Sequence, residues 1–133
     1  MRVLLSLLLT LGLLGGCKKE SAPAAPATLQ SRIIGRTWLE SHEDAQPGSD
    51  IRVYRPETSA FPASWPRDGF RFDAGNVFTG YGPSPVDGTA TFPGRWQTTG
   101  PDRFRITPNA PAGSYSLQLV SLENEVLRVR RLP

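Results

Sequence analysis

The sequence predicts an all-β domain, an antiparallel meander of about eight short strands that closes on itself as a small barrel. Three observations carry that prediction. From Thr37 onward apolar and polar residues alternate with a period of two, the spacing that turns one face of a strand to a core and the other to solvent. Gly, Asn, Asp and Pro interrupt the alternation where hairpin turns are needed. Thirteen glycines and thirteen prolines among 133 residues suit short strands and many turns better than long helices.

The pattern is clearest between Gly69 and Thr107. Phe70-Arg71-Phe72 and Val77-Phe78-Thr79-Gly80-Tyr81 flank Asp73-Ala74-Gly75-Asn76, while Trp96-Gln97-Thr98 and Phe104-Arg105-Ile106 flank Gly100-Pro101-Asp102. Each block reads as a β-hairpin. Two strands precede them: Thr37 to His42, which contains Trp38, and Asp50 to Tyr54, where Ile51 and Val53 alternate with Arg52. A third hairpin follows, Tyr115 to Leu122 and Val126 to Arg131 around Glu123-Asn124-Glu125, with Tyr115, Leu117 and Leu119 on one face and Ser116 and Gln118 on the other. Inward candidates are Trp38, Phe70, Phe72, Trp96, Phe104, Ile106, Tyr115, Leu117 and Leu127. An eight-stranded barrel either fills with side chains or holds one small ligand, and the size of these residues favours filling.

Two proline-rich stretches break the rhythm. Arg55 to Asp68 and Gly82 to Pro93 read as loops that close or rim one end, because proline is excluded from central strands. In the first, Trp65 is expected to fold back and plug the barrel. The competing reading makes Phe61, Pro62 and Trp65 a lid or a hot spot for a protein partner, since aromatics on a stiffened loop bind at low entropic cost.

The front of the chain has a different composition. Met1-Arg2 precedes an apolar run from Val3 to Leu14, then Gly15-Gly16-Cys17 and Lys18-Lys19-Glu20. That run is shorter than the ~20 residues that span a bilayer, so it is expected to be a cleaved leader. Leu14-Gly15-Gly16-Cys17 resembles the lipobox of bacterial lipoproteins, which implies removal of residues 1–16 and a diacylglycerol thioether on Cys17. As the single cysteine, Cys17 cannot form an intrachain disulfide. Residues 17–31 then form the lipidated cysteine and an Ala/Pro-rich tether, and residues 32–133 the barrel. From Lys18 to Thr28 the tether reaches at most roughly 35 Å, at ~3.1 Å per residue in polyproline II form. Leu29 to Gly35 reads as one helical turn over an open end of the domain. The expected address is the bacterial cell envelope, membrane-anchored, on the periplasmic or the outer surface.

Residues 32–133 resemble the small lipocalin-like lipoproteins of bacteria. The likeness rests on Gly35-Arg36-Thr37-Trp38, Gly94-Arg95-Trp96, Phe104-Arg105-Ile106, Tyr115-Ser116-Leu117 and Leu127-Arg128-Val129-Arg130. It implies that Trp38 packs under a basic residue of the last strand, Arg128 or Arg130, in a cation–π contact.

Motifs for chemistry are sparse. His42-Glu43-Asp44, with Glu40 nearby, is the only pairing of histidine with carboxylates, and no second histidine or free cysteine exists to complete a zinc site, so a solvated strand end is expected rather than a metal centre. No Gly-x-Ser-x-Gly elbow and no phosphate-cradling glycine spacing is present. Formal net charge is +3, and the arginines recur at alternating strand positions, the pattern of a solvated sheet face; no nucleic-acid partner is expected. The reading is therefore a non-enzymatic envelope lipoprotein without metal or cofactor, carrying a small apolar ligand, with Trp38, Phe61, Trp65, Trp96 and Tyr115 as contact candidates. The alternative is a module that binds an envelope protein, as an inhibitor or assembly factor, through the two proline-rich loops.

Overall fold

Each of the eight alternating stretches is a strand in the computed structural model, which describes residues 28–133. A short helix, α1 (Leu29–Ile33), leads into β1 (Thr37–Glu40), β2 (Ile51–Pro56), β3 (Gly69–Asp73), β4 (Val77–Pro83), β5 (Thr89–Gly100), β6 (Arg103–Pro108), β7 (Tyr115–Glu123) and β8 (Val126–Leu132). All neighbouring pairs are antiparallel and the sheet closes, so the chain is an all-β, eight-stranded antiparallel barrel. The leader and Cys17 lie outside the described residues. Helix α1 starts within the stretch that composition assigns to the tether. Ile33 is buried and Leu29 packs against the core, so the helix is apposed to the barrel.

From β3 to β8 the strands follow one another around the barrel. Left-handed residues make the three tight turns: Asn76 (φ 63°), Asp102 (φ 54°), and Asn124 and Glu125 (φ 50° and 62°). The first two strands enter in exchanged order. β1 pairs with β3, placing Trp38 opposite Phe70, and β2 pairs with β8, placing Tyr54 opposite Leu127. A simple meander would put β2 beside β3. The β2–β3 connection therefore crosses the outer face of β1, and residues 57–68 form that strap. Alternation tells which face a residue takes but not which strand lies beside it, so both orders fit the same pattern.

The second proline-rich stretch is mostly strand rather than loop. β4 runs to Pro83 and β5 begins at Thr89, which leaves only residues 84–88 as the connection. Pro93 is tolerated within β5 because its carbonyl accepts from the Asn109 amide (3.0 Å), just past the end of β6. Its missing N–H lies on that same side, so the ladder to β4 loses no donor.

The barrel is filled at one end. There Phe72 is fully buried, and its ring centroid lies 4.8 Å from Phe104, 5.3 Å from Phe70, 5.4 Å from Phe78 and 5.7 Å from Trp96. Most of these contacts are edge-on, the arrangement aromatic quadrupoles favour. Helix α1 caps this end: the Trp38 indole N–H donates to the Ile33 carbonyl (3.2 Å), and the Gly35 amide donates to the Phe72 carbonyl (2.7 Å). Gly35 takes φ 77° to turn the chain from α1 into β1, a conformation that costs glycine little. Gly94 is needed for a different reason, since a Cβ there would stand 2.7 Å from the Thr107 carbonyl oxygen of β6.

The partner of Trp38 is not the one the resemblance implies. Leu127 and Val129 point inward, so Arg128 and Arg130 alternate outward and cannot reach the indole. Arg36 covers it instead, with its guanidinium 4.8 Å from the ring centroid. Phe72→Ala should lower stability by about 3–5 kcal/mol, the usual cost of an aromatic cavity. Urea denaturation checks this, and a loss below ~1 kcal/mol would mean the filled end repacks freely.

Candidate ligand cavity and its rim

The other end of the barrel is open, and glycine makes it so. The inner face of β4 reads Phe78, Gly80, Gly82 from the filled end outward, since Phe78 and Gly80 oppose the inward Phe72 and Phe70. A Cβ on Gly80 would meet the Phe78 ring at 3.4 Å and the Phe92 Cβ at 3.5 Å, which is ordinary contact. The missing side chain thus leaves space rather than relieving a clash. The cavity has a volume of about 530 Å³, within the ~300–1,000 Å³ typical of small-molecule sites. Phe70, Phe78, Leu117 and Val129 form its apolar depth, and Tyr54, Phe92 and Tyr115 line it higher up.

Its charges sit in one row at the mouth. Asp68 precedes β3, Glu40 ends β1, Arg52 lies on β2, Arg131 on β8 and Tyr115 on β7, and the strand order β3-β1-β2-β8-β7 sets them side by side. Arg52 is 3.4 Å from the Glu40 carboxylate and 3.9 Å from that of Asp68. Arg131 lies 4.0 Å from the Tyr115 ring centroid and makes no ion pair among the described residues. Burial, followed by the Glu40 charge, pushes the Tyr54 phenol far up. Burial raises Tyr115 as well, against the pull of Arg131. Both hydroxyls therefore stay protonated at ordinary pH and offer neutral hydrogen-bonding groups.

The strap over β1 is held by the Arg67–Glu43 ion pair. Arg67 is nearly buried; its guanidinium donates to both Glu43 carboxylate oxygens (2.9 and 2.6 Å) and to the Glu40 carbonyl (2.9 Å), and it lies 4.6 Å from the Phe61 ring centroid. Asp44 accepts two bonds from Arg55 (2.5 and 3.1 Å) and one from Ser41 (2.7 Å). The hydrogen bonds from Arg67 hold Glu43 at about 2 rather than 4.5, and those from Arg55 and then Ser41 hold Asp44 at about 2 rather than 3.8. The His42–Asp44 segment is a short 3₁₀ turn, so β1 stops at Glu40 and the expected run through His42 does not occur. Among the described residues no cluster of His, Cys, Asp and Glu is placed to hold a metal ion.

Of the five contact candidates, only Tyr115 lines the cavity. Trp38 and Trp96 belong to the filled end, where the Trp96 indole N–H donates to the Asp73 carbonyl (2.9 Å). Phe61 lies under Arg67 on the outer face. Trp65 does not plug the barrel: it is 86% exposed, because the strap that carries it runs outside β1. The sequence reading missed Tyr54, Gly80, Phe92 and Arg131. A signal for Phe92 was present, since the alternation Trp96, Gly94, Phe92 continues through Pro93. Gly80 left none, because an inward glycine looks like a gap in the pattern. Comparison with protein-family models, curated proteins and solved structures finds no match to this chain.

The acid response of the strap follows from Glu43, the carboxylate that Arg67 grips. Glu43 binds protons less readily in the folded state than in the unfolded one, so its contribution is complete above about pH 4.5 and declines as pH falls toward 2. Amide exchange of residues 57–68, corrected for its intrinsic pH dependence, should lose protection across that window. Glu43→Gln should show the same loss at pH 7; protection unchanged by both acid and substitution would mean the Arg67–Glu43 pair does not hold the strap.

Proposed function

We propose that this protein is a non-enzymatic, lipid-anchored carrier of the bacterial cell envelope that holds a small apolar ligand in the open half of its barrel. The observation that carries the reading is the apolar cavity of about 530 Å³ with a single charged rim. Sites that bind small molecules are concave, mainly apolar and edged by a few placed polar groups, and this end of the barrel has that composition. The anchor is read from Leu14-Gly15-Gly16-Cys17, with two or more acyl chains making attachment effectively permanent at ~0.8 kcal/mol per buried CH₂. The chain enters the barrel through α1, at the filled end. A tether attached there leaves the mouth facing away from its own attachment point.

A second reading has one observation in its favour. Trp65 stands out on a strap fixed by Arg67, which is the form of a rigid aromatic anchor for a protein partner.

Native mass spectrometry of the protein extracted from its own host tests both. The expected spectrum contains a reproducible extra mass, beyond the acyl chains on Cys17, that leaves on denaturation. Gly80→Leu, which fills the cavity, should abolish it, and Cys17→Ala should move the protein from the membrane to the soluble fraction. No extra mass, together with a co-purified protein that Trp65→Ala loses, would transfer the function to the strap. Continued pelleting of the Cys17→Ala protein with membranes would remove the anchor.

A further inference from the structure

On one side of the cavity mouth stands Arg131, a cation with no carboxylate partner among the described residues. Tyr54, Arg52 and Arg131 share the inner face of adjacent strands: Arg52 opposes the inward Val129, and Arg131, two residues on, opposes the inward Leu117. Arg52 and Arg131 are therefore diagonal neighbours at the rim, so an anion seated on Arg131 would lie beside Arg52 as well. Two carboxylates are nearby, and both lie on the far side of Arg52, where they hold its guanidinium at 3.4 and 3.9 Å. Among the described residues Arg131 has only the face of Tyr115, which orients a guanidinium without neutralising it. Below this pair the wall is apolar down to Phe70 and Phe78.

We propose that the occupant is a single-chain anionic amphiphile, its hydrocarbon tail among Phe70, Phe78, Leu117 and Val129 and its carboxylate or phosphate head between Arg131 and Arg52. This rests on the cavity being a binding site and names the class of ligand it takes. A cationic head would be repelled by Arg131, and the nearest carboxylates, Glu40 and Asp68, are engaged by Arg52. A neutral head would give Arg131 no counter-charge. The volume, in the lower half of the range for small-molecule pockets, accommodates one chain rather than two. Arginine also offers a planar fork that matches either anion, so carboxylate and phosphate heads are both within its chemistry.

Calorimetric titration of the full chain with decanoate, decyl phosphate, decanol and decyltrimethylammonium, each below its micelle-forming concentration, tests the assignment. At low ionic strength at least one of the two anions should bind about tenfold or more tightly than decanol, and the cation should bind most weakly, with the preference shrinking as salt is added. Which anion binds better identifies the head group. Arg131 is exposed, so Arg131→Gln is expected to fold; it should reduce the anion to the affinity of decanol and leave decanol unchanged, while Arg131→Lys should keep part of the preference. Gly80→Leu should abolish binding of all four. Equal binding of anion and alcohol, or a preference that survives Arg131→Gln, would overturn the head-group assignment while leaving the cavity reading intact. Binding that survives Gly80→Leu would place the amphiphile on the surface and overturn the proposal. Absence of binding by every probe would overturn both readings.

Discussion

Phe72 is where the strands of this barrel are held to a common centre. It sits on β3 and its ring is met by Phe70 of the same strand, Phe78 of β4, Trp96 of β5 and Phe104 of β6. Dense packing of this kind has low tolerance for voids, so the strands around it take one spacing and one tilt. The rest of the interior inherits that geometry. Strands held rigidly at one end diverge no further than their ladders allow at the other, and the side chains present there decide whether the space is filled. On β4 the inward residue beyond Phe78 is Gly80, and the space stays open.

The two ends are stabilised by different forces. The filled end relies on burial of large apolar groups, which depends little on salt or acid. The open end relies on arginine–carboxylate contacts at the rim and under the strap. Such contacts are individually modest when exposed, but Arg67 is nearly buried and its pairing with Glu43 is bidentate, the geometry that gives an ion pair its strength. The two ends therefore differ in how they answer to salt and acid.

The strands were legible in the sequence because their evidence is local. Phe70 and Phe72, Leu127 and Val129, and the turn residues Asn76, Asp102 and Asn124 announce face and turn within a few positions. The exchanged order of β1 and β2 was not legible, because Trp38 and Tyr54 take the same inward face whichever strands lie beside them. Trp65 was misplaced for the same reason: a crossing strap lies outside the barrel, and only the strand order reveals that Arg55 to Asp68 must cross. Pro93 concealed a strand, since a missing donor is harmless only when the neighbour on that side has ended. The cavity was the least legible feature, being made by what Gly80 lacks and edged by Arg131, which reads in sequence as one more residue of the Arg128 to Arg131 series.

The exchanged order also governs how the barrel can be assembled. The β1–β2 hairpin makes both seams, one to β3 and one to β8. Without it the chain is a curved six-stranded sheet, β3 to β8, whose two exposed edges are templates for pairing with other chains. β1 and β2 are synthesised first, yet β2 has no seam partner until β8, the final strand, is complete. Closure therefore joins the earliest and latest parts of the domain, a long-range pairing of the kind that slows folding and prolongs edge exposure. Ring closure thus waits until β8 is available, whatever the order in which the other hairpins form.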